Sequence, residues 1–293
     1  MVVAIVANPQ ATGAAERSQA GTAYYGQRAT LYSTTGGHYL TRVAHPPTRG
    51  ARRPRPPPLQ KFQIFLLIAP VMLFSVIAHE IAHGWAALRQ GDRTALDAGR
   101  LSWNPARHID FFLTILLPVL TYYGSMAVGG TPMLFGGAKP VPVDPRNYQH
   151  PRRGDIIVSL AGVATNALIG LVCAPLILVA GKIGMAVPAL EQTLGIVQAM
   201  LFYGVLLNAV LIAFNLLPIP PLDGSHVFKY LLPRPLAIRY VHFGRYGLLV
   251  LILLLQFGHR VLDLWMSPAF FAVRSAQEAV ASYMLPSAFQ WLQ

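Results

Sequence analysis

The sequence predicts an all-α polytopic membrane protein, with about four transmembrane helices and a re-entrant or extra membrane segment. Three observations predict it. Of the 293 residues, 54% are hydrophobic and 12% charged, against about 25% charged in a soluble domain. Several apolar runs are long enough to cross a bilayer, which takes about 20 residues in a helix. Lys and Arg gather in the loops between those runs, the pattern of a topology signal.

Residues 1–60 are rich in Ala, Gly, Thr, Arg and Pro, and end in Arg52-Arg-Pro-Arg-Pro-Pro-Pro58. Met1-Val-Val-Ala-Ile-Val-Ala7 is too short to span or to form a signal-peptide core. The segment reads as a disordered basic extension. Phe62–Leu88 is the first span, with Pro70 as an expected kink and Gly84 as a place for close approach. A polar loop with Arg89, Arg93, Arg100 and Arg107 follows, and Trp103 there fits an interfacial anchor. The apolar stretch 109–135 is broken by Pro118, Gly124, Gly129, Gly130 and Pro132. Asp155–Ala180 is a second span, and Leu194–Leu217 is a third that ends in Pro218-Ile-Pro220-Pro221-Leu-Asp223-Gly224. A fourth starts at Tyr246–Phe257 and extends toward Trp265. The amphipathic tail, 266–293, has no assigned place. The domains are therefore 1–60, a membrane domain over 61–265, and the tail.

The loops at 89–107, 139–153 and 229–245 hold four Lys or Arg each, whereas 182–193 holds one. The positive-inside rule puts the three rich loops in the cytoplasm. Two of them flank 109–135, so that stretch crosses an even number of times. It is expected to be a re-entrant hairpin or membrane-embedded β-loop, with an ordinary spanning helix as the alternative. The amino-terminal arm through Lys61 holds eight Lys or Arg, yet lies outside on this topology.

The formal charge of +12 could suggest nucleic acid, but the cations sit between apolar runs and not on one face. No nucleic-acid partner is expected. The single cysteine, Cys173, excludes a disulfide framework and reads as a buried spectator thiol. Of eleven acidic residues, only Glu80 and Asp223 lie within or at the mouth of apolar runs beside His or Pro motifs. Burying a carboxylate there is costly, which makes those two the functional candidates.

The first span contains His79-Glu80-Ile-Ala-His83. One helical turn apart, the two imidazoles project from one face and can reach one metal ion, with Glu80 beside them to activate water. A catalytic zinc takes three protein ligands and leaves a fourth position open. Asp223 is the acidic residue that the third span delivers to the same depth, turned inward where the prolines break the helix. His108, His150, His226 and His242 lie in loops and read as solvated, with His226, three residues after Asp223, as the one to check.

Together, His79-Glu-Ile-Ala-His83, Ala161-Gly162 with Asn166, and Asn215-Leu-Leu-Pro-Ile-Pro-Pro-Leu-Asp223-Gly224 resemble the site-2 protease family of intramembrane zinc metalloproteases. The loop Lys139-Pro-Val-Pro-Val-Asp-Pro-Arg-Asn147 resembles its short bacterial members. The resemblance covers about 62–258. It implies a three-helix catalytic core around one Zn2+, with His79, His83 and Asp223 as ligands and Glu80 as catalytic base. It places Gly162 and Asn166 near the active site, Asn166 holding substrate or oxyanion. Val163 stands where the family commonly has Pro. The implied setting is the bacterial plasma membrane, with the active site toward the cytoplasm. The implied partners are the lipid bilayer and a transmembrane protein substrate, which must unwind locally before its peptide bonds are exposed. A metal transporter or non-catalytic scaffold using the same site is the alternative; a transporter would spread its ligands along a pathway.

Overall fold

The computed structural model describes residues 2–6, 58–117, 119–121, 124 and 133–292. A short strand, β1 (Val2–Val6), precedes a 32-residue helix, α1 (Pro58–Arg89). One turn of helix, α2 (Thr94–Asp97), follows in the loop. A π-helical stretch begins at Phe111 and the helix continues to Thr121. The strand β2 (Met133–Gly137) comes next, then the long helices α3 (Pro151–Ala186) and α4 (Glu191–Asn215). The chain closes with α5 (Asp223–Phe228), α6 (Arg234–Phe243), α7 (Gly247–Phe257), α8 (His259–Val280) and α9 (Pro286–Phe289).

Four helices are long and apolar enough to cross a membrane: Leu66–Arg89, Pro151–Ala186, Pro188–Asn215 and Arg234–Phe257. The first three match the expected spans. The fourth differs. It begins at Arg234, inside the expected basic loop, and stops at Gly258. There the helix breaks, so Trp265 belongs to the next helix, α8, which runs unbroken across the boundary drawn at 265.

Most of the expected disordered extension lies outside the described residues. Val2–Val6 is not disordered: β1 pairs antiparallel with β2, Val2 opposite Gly137 and Val6 opposite Met133. In the 109–135 stretch, the helix over Phe111–Thr121 is about 16 Å long, half a bilayer core, and the backbone is already extended at Met133. Asp110 starts that helix by accepting a hydrogen bond from Leu113 N–H at 2.8 Å.

α3 packs along α4, and α1 lies against both. Polar contacts fix the register. Asn208 Nδ2 donates to Ser75 Oγ at 2.9 Å between α4 and α1, both residues fully buried. Trp103 stacks on Phe74 with centroids 5.6 Å apart and keeps most of its surface exposed, as an interfacial anchor would. Cys173 is half-buried beside Gly204 and has no catalytic neighbour among the described residues. His108 corrects an expectation: it is buried, and its Nε2 donates to Ser102 O at 2.7 Å.

The tail is also placed. α8 and α9 pack on α4. The buried Gln198 side chain donates to Ile177 O at 2.9 Å and Tyr283 O at 2.8 Å, and accepts from Leu285 N–H at 2.8 Å. Gly181, Gly184 and Gly195 provide the room; a Cβ at any of them would strike Tyr283, Leu285 or Ser287.

Two loops brace the end of α1. Asp92 is fully buried and accepts from Thr94 N–H at 3.1 Å, Thr94 Oγ at 2.5 Å, Asp144 N–H at 2.7 Å and Asn147 Nδ2 at 2.9 Å. Burial alone would raise its pKa, but these donors outweigh burial and hold it below 3.8. A depressed folded-state pKa stabilises above the unfolded value and is lost as pH falls through the folded one. Asp92→Asn is therefore expected to cost roughly 1–3 kcal/mol at neutral pH. Thermal melts should also show the wild type losing more stability than the variant below about pH 4.

Candidate active site

α1 carries the first half of the site. His79 is fully buried, Glu80 is 2% exposed and His83 9%. The rings meet edge-on, with centroids 4.6 Å apart. α3 supplies the facing wall through one stripe, Val158, Gly162 and Asn166, spaced about one turn apart. His83 Nδ1 donates to Val158 O at 2.7 Å. A carbonyl only accepts, so this contact puts the proton on Nδ1 and aims the Nε2 lone pair into the site. Asn166 is fully buried, and its amide nitrogen lies 3.1 Å from His79 Nδ1. Gly162 leaves the space between: a Cβ there would sit 2.5 Å from His79 Nε2 and 2.6 Å from His83 Nε2.

The third side chain arrives on a separate element. α4 ends at Asn215 before the proline run, as expected, and α5 begins at Asp223. Gly224 fits because the turn lies on the end of α4; a Cβ would come 2.8 Å from Leu217 O and closer still to Leu216. Asp223 Oδ2 then stands 3.1 Å from His79 Nε2 and 3.4 Å from His83 Nε2, with 2.9 Å between the two nitrogens. These three ligand atoms lie within 4.8 Å of one another. Around a tetrahedral zinc with bonds of about 2.0–2.1 Å, ligand atoms are about 3.3 Å apart. Asp223 Oδ2 is buried with no hydrogen-bond donor among the described residues, and the residues present fit a divalent cation. Side-chain exposure of 19% at Asp223 and 11% at His83 marks the open side of the site.

Glu80 is set by the loop after β2. Val141 N–H donates to Glu80 Oε2 at 2.8 Å. Arg100 holds this loop through Lys139 O at 2.7 Å, and Asp92 holds it through Asp144 and Asn147. Gly84 admits it: a Cβ there would lie 3.1 Å from Val141 Cγ1 and Ala95 Cβ. The sequence pattern marks Glu80 but not its backbone partner Val141.

The profile of Peptidase family M50 matches residues 67–255, which include every residue of this site. The chain belongs to peptidase family M50. "Putative zinc metalloprotease YwhC" of Bacillus subtilis is 35% identical over 190 residues, covering 65% of this chain and 79% of that protein. "Putative zinc metalloprotease Rip2" of Mycolicibacterium smegmatis is 30% identical over 198 residues, covering 68% of this chain and 70% of its own. No solved structure matches the chain. M50 membership, with four helices able to cross a bilayer, makes it a multi-pass membrane metalloprotease. The transporter and scaffold alternative is not favoured.

One cluster escaped the sequence reading. Asp155, on α3 below Val158, is 2% exposed. It takes Lys229 Nζ at 2.5 Å, His226 Nδ1 at 3.2 Å and Tyr230 Oη at 2.9 Å. His226, singled out above for its position, thus pairs with Asp155, and the cluster fastens the C-terminal end of α5 to α3. Burial and the Asp155 contact push the Tyr230 hydroxyl up to about 12, so it stays a donor. The signal was there in the spacing: Asp155, Ser159, Gly162 and Asn166 form one polar or small stripe on an otherwise apolar helix.

Proposed function

We propose that this M50 chain is a zinc endopeptidase of the bacterial plasma membrane that cleaves transmembrane segments of other proteins near the cytoplasmic face. His79, His83 and Asp223 hold one zinc ion per chain, and Glu80 is the catalytic base. The observation that carries this reading is the convergence of Asp223 Oδ2 with both imidazole Nε2 atoms, beside a buried carboxylate held by Val141.

Zinc, when bound, supplies the positive charge that polarises a peptide carbonyl and acidifies water. Glu80 takes the proton from the attacking water as the new C–O bond forms. It then delivers that proton to the leaving amine as the C–N bond breaks. The Val141 N–H keeps the carboxylate facing the site through both transfers. A helical substrate must unwind to expose the bond, because its carbonyls are otherwise engaged. The three cation-rich loops support the cytoplasmic placement.

In this reading Gly162 and Asn166 serve the histidines, beside the substrate role that the resemblance implies for Asn166. With Nε2 facing the metal, His79 carries its proton on Nδ1 and needs an acceptor. Amide oxygen and nitrogen are interchangeable in assignment, and Asn166 Oδ1 has no hydrogen-bond partner among the described residues. Turning the amide sets Oδ1 on the His79 N–H.

The test is Asp223→Ala in detergent-purified protein. Zinc content by mass spectrometry should fall from about one per chain to background, and cleavage of a model transmembrane peptide should be lost. Full zinc retention would remove Asp223 from the ligand set.

A further inference from the structure

A cleft of about 540 Å³ opens where the first turn of α3, the Lys229–Tyr230 turn and α6 meet. Its polar lining carries three cations, Arg152, Lys229 and Arg234, with Tyr230 and His242 among them. Its remaining wall is apolar, through Ile238 and Val241, which are 59% and 57% exposed. The carboxylate beside it, Asp155, is already matched by Lys229, His226 and Tyr230. Arg152 stacks over the Tyr230 ring at 5.5 Å and donates to Tyr230 O at 3.3 Å. Neither Arg152 nor Arg234 has a carboxylate partner among the described residues, and both are exposed.

We propose that this cleft binds the phosphate of an anionic phospholipid headgroup. A phosphate matches two unpaired guanidiniums, which give it paired N–H donors. The apolar wall favours a lipid over free phosphate, since inorganic phosphate has nothing to place against Ile238 and Val241. The depth agrees. α6 carries Arg234 and Arg239 in ten residues. Those charges are costly in hydrocarbon and favourable at an anionic headgroup layer.

The site bears on the zinc centre, a consequence that rests on the peptidase reading. Lys229 follows the last residue of α5, and Asp223 is its first. A phosphate bound beside Lys229 and Arg152 braces the α3–α5 junction, holding Asp223 over the two histidines.

The experiment uses the full chain, with phosphatidylglycerol as probe. Native mass spectrometry of wild type, purified from vesicles of phosphatidylcholine with phosphatidylglycerol, should show phosphatidylglycerol selectively retained. Millimolar inorganic phosphate should not displace it. Arg152→Ala/Arg234→Ala should reduce retention about tenfold or more. Equal retention of both lipids by wild type overturns the proposal, even if the double variant fails to fold. Displacement by phosphate assigns the cleft to the free ion and overturns the lipid. Retention unchanged in a folded double variant overturns the site. Peptide cleavage should be several-fold faster in the phosphatidylglycerol vesicles for wild type only. Arginine-dependent retention without cleavage in any vesicle would leave the lipid site standing and count against the peptidase.

Discussion

Glu80→Gln is expected to lower the cleavage rate of a transmembrane peptide by about 10²–10⁴-fold while zinc content stays at wild-type level. Glutamine has the same shape, and its amide oxygen can still accept the Val141 N–H that now meets Glu80 Oε2 at 2.8 Å. The side chain therefore stays in place. What it loses is the ability to take a proton from water and return it to the departing amine. No proposed metal ligand is touched, since the group that could hold the ion is His79, His83 and Asp223. Turnover by purified Glu80→Gln within threefold of wild type would end the role of Glu80 as base.

Gly162→Ala is the second large effect, and it reads the cradle and not the chemistry. The added methyl would lie 2.5 Å from His79 Nε2 and 2.6 Å from His83 Nε2. Neither ring can retreat. His83 is tied to Val158 O one turn before Gly162, and His79 abuts Asn166 one turn after. The methyl therefore takes the volume where the ligand atoms converge. Zinc occupancy is expected to fall to background and cleavage with it, while far-UV circular dichroism shows unchanged helicity. Gly170→Ala is the matched control, two turns along the same helix. Its methyl would meet only Asn208 Cβ at 3.8 Å, an ordinary contact, and zinc content should stay intact. Full zinc loading in Gly162→Ala would mean that the two helices part more easily than these contacts allow.

The convergence of His79, His83 and Asp223 was legible in the sequence because membranes make it so. A His-Glu-x-x-His inside an apolar helix has few uses, and Asp223 stood out as a carboxylate behind three prolines. The spans were legible for the same reason, since apolar length is a direct physical requirement. The fourth was not, because Arg234, Arg239 and Arg245 mark a loop by charge, yet that stretch is helical at its start. The grip on Glu80 was invisible, being a backbone N–H whose partner lies 61 residues away. Asp155 was discounted as an edge carboxylate. Its burial depends on Lys229, His226 and Tyr230 folding back across α3, a pairing that sequence distance conceals. β1 was dismissed as too short to span, and a strand needs no such length.

The family match stops at residue 255, but the packing does not. Gln198 sits in the middle of a spanning helix with its three hydrogen bonds spent on Ile177, Tyr283 and Leu285. Three glycines open a slot shaped for the residues around 283–287. The last helices are thus a plug seated in the bundle. A minimal catalytic unit trimmed at the homology boundary would leave a bare carboxamide and an empty furrow facing the acyl chains.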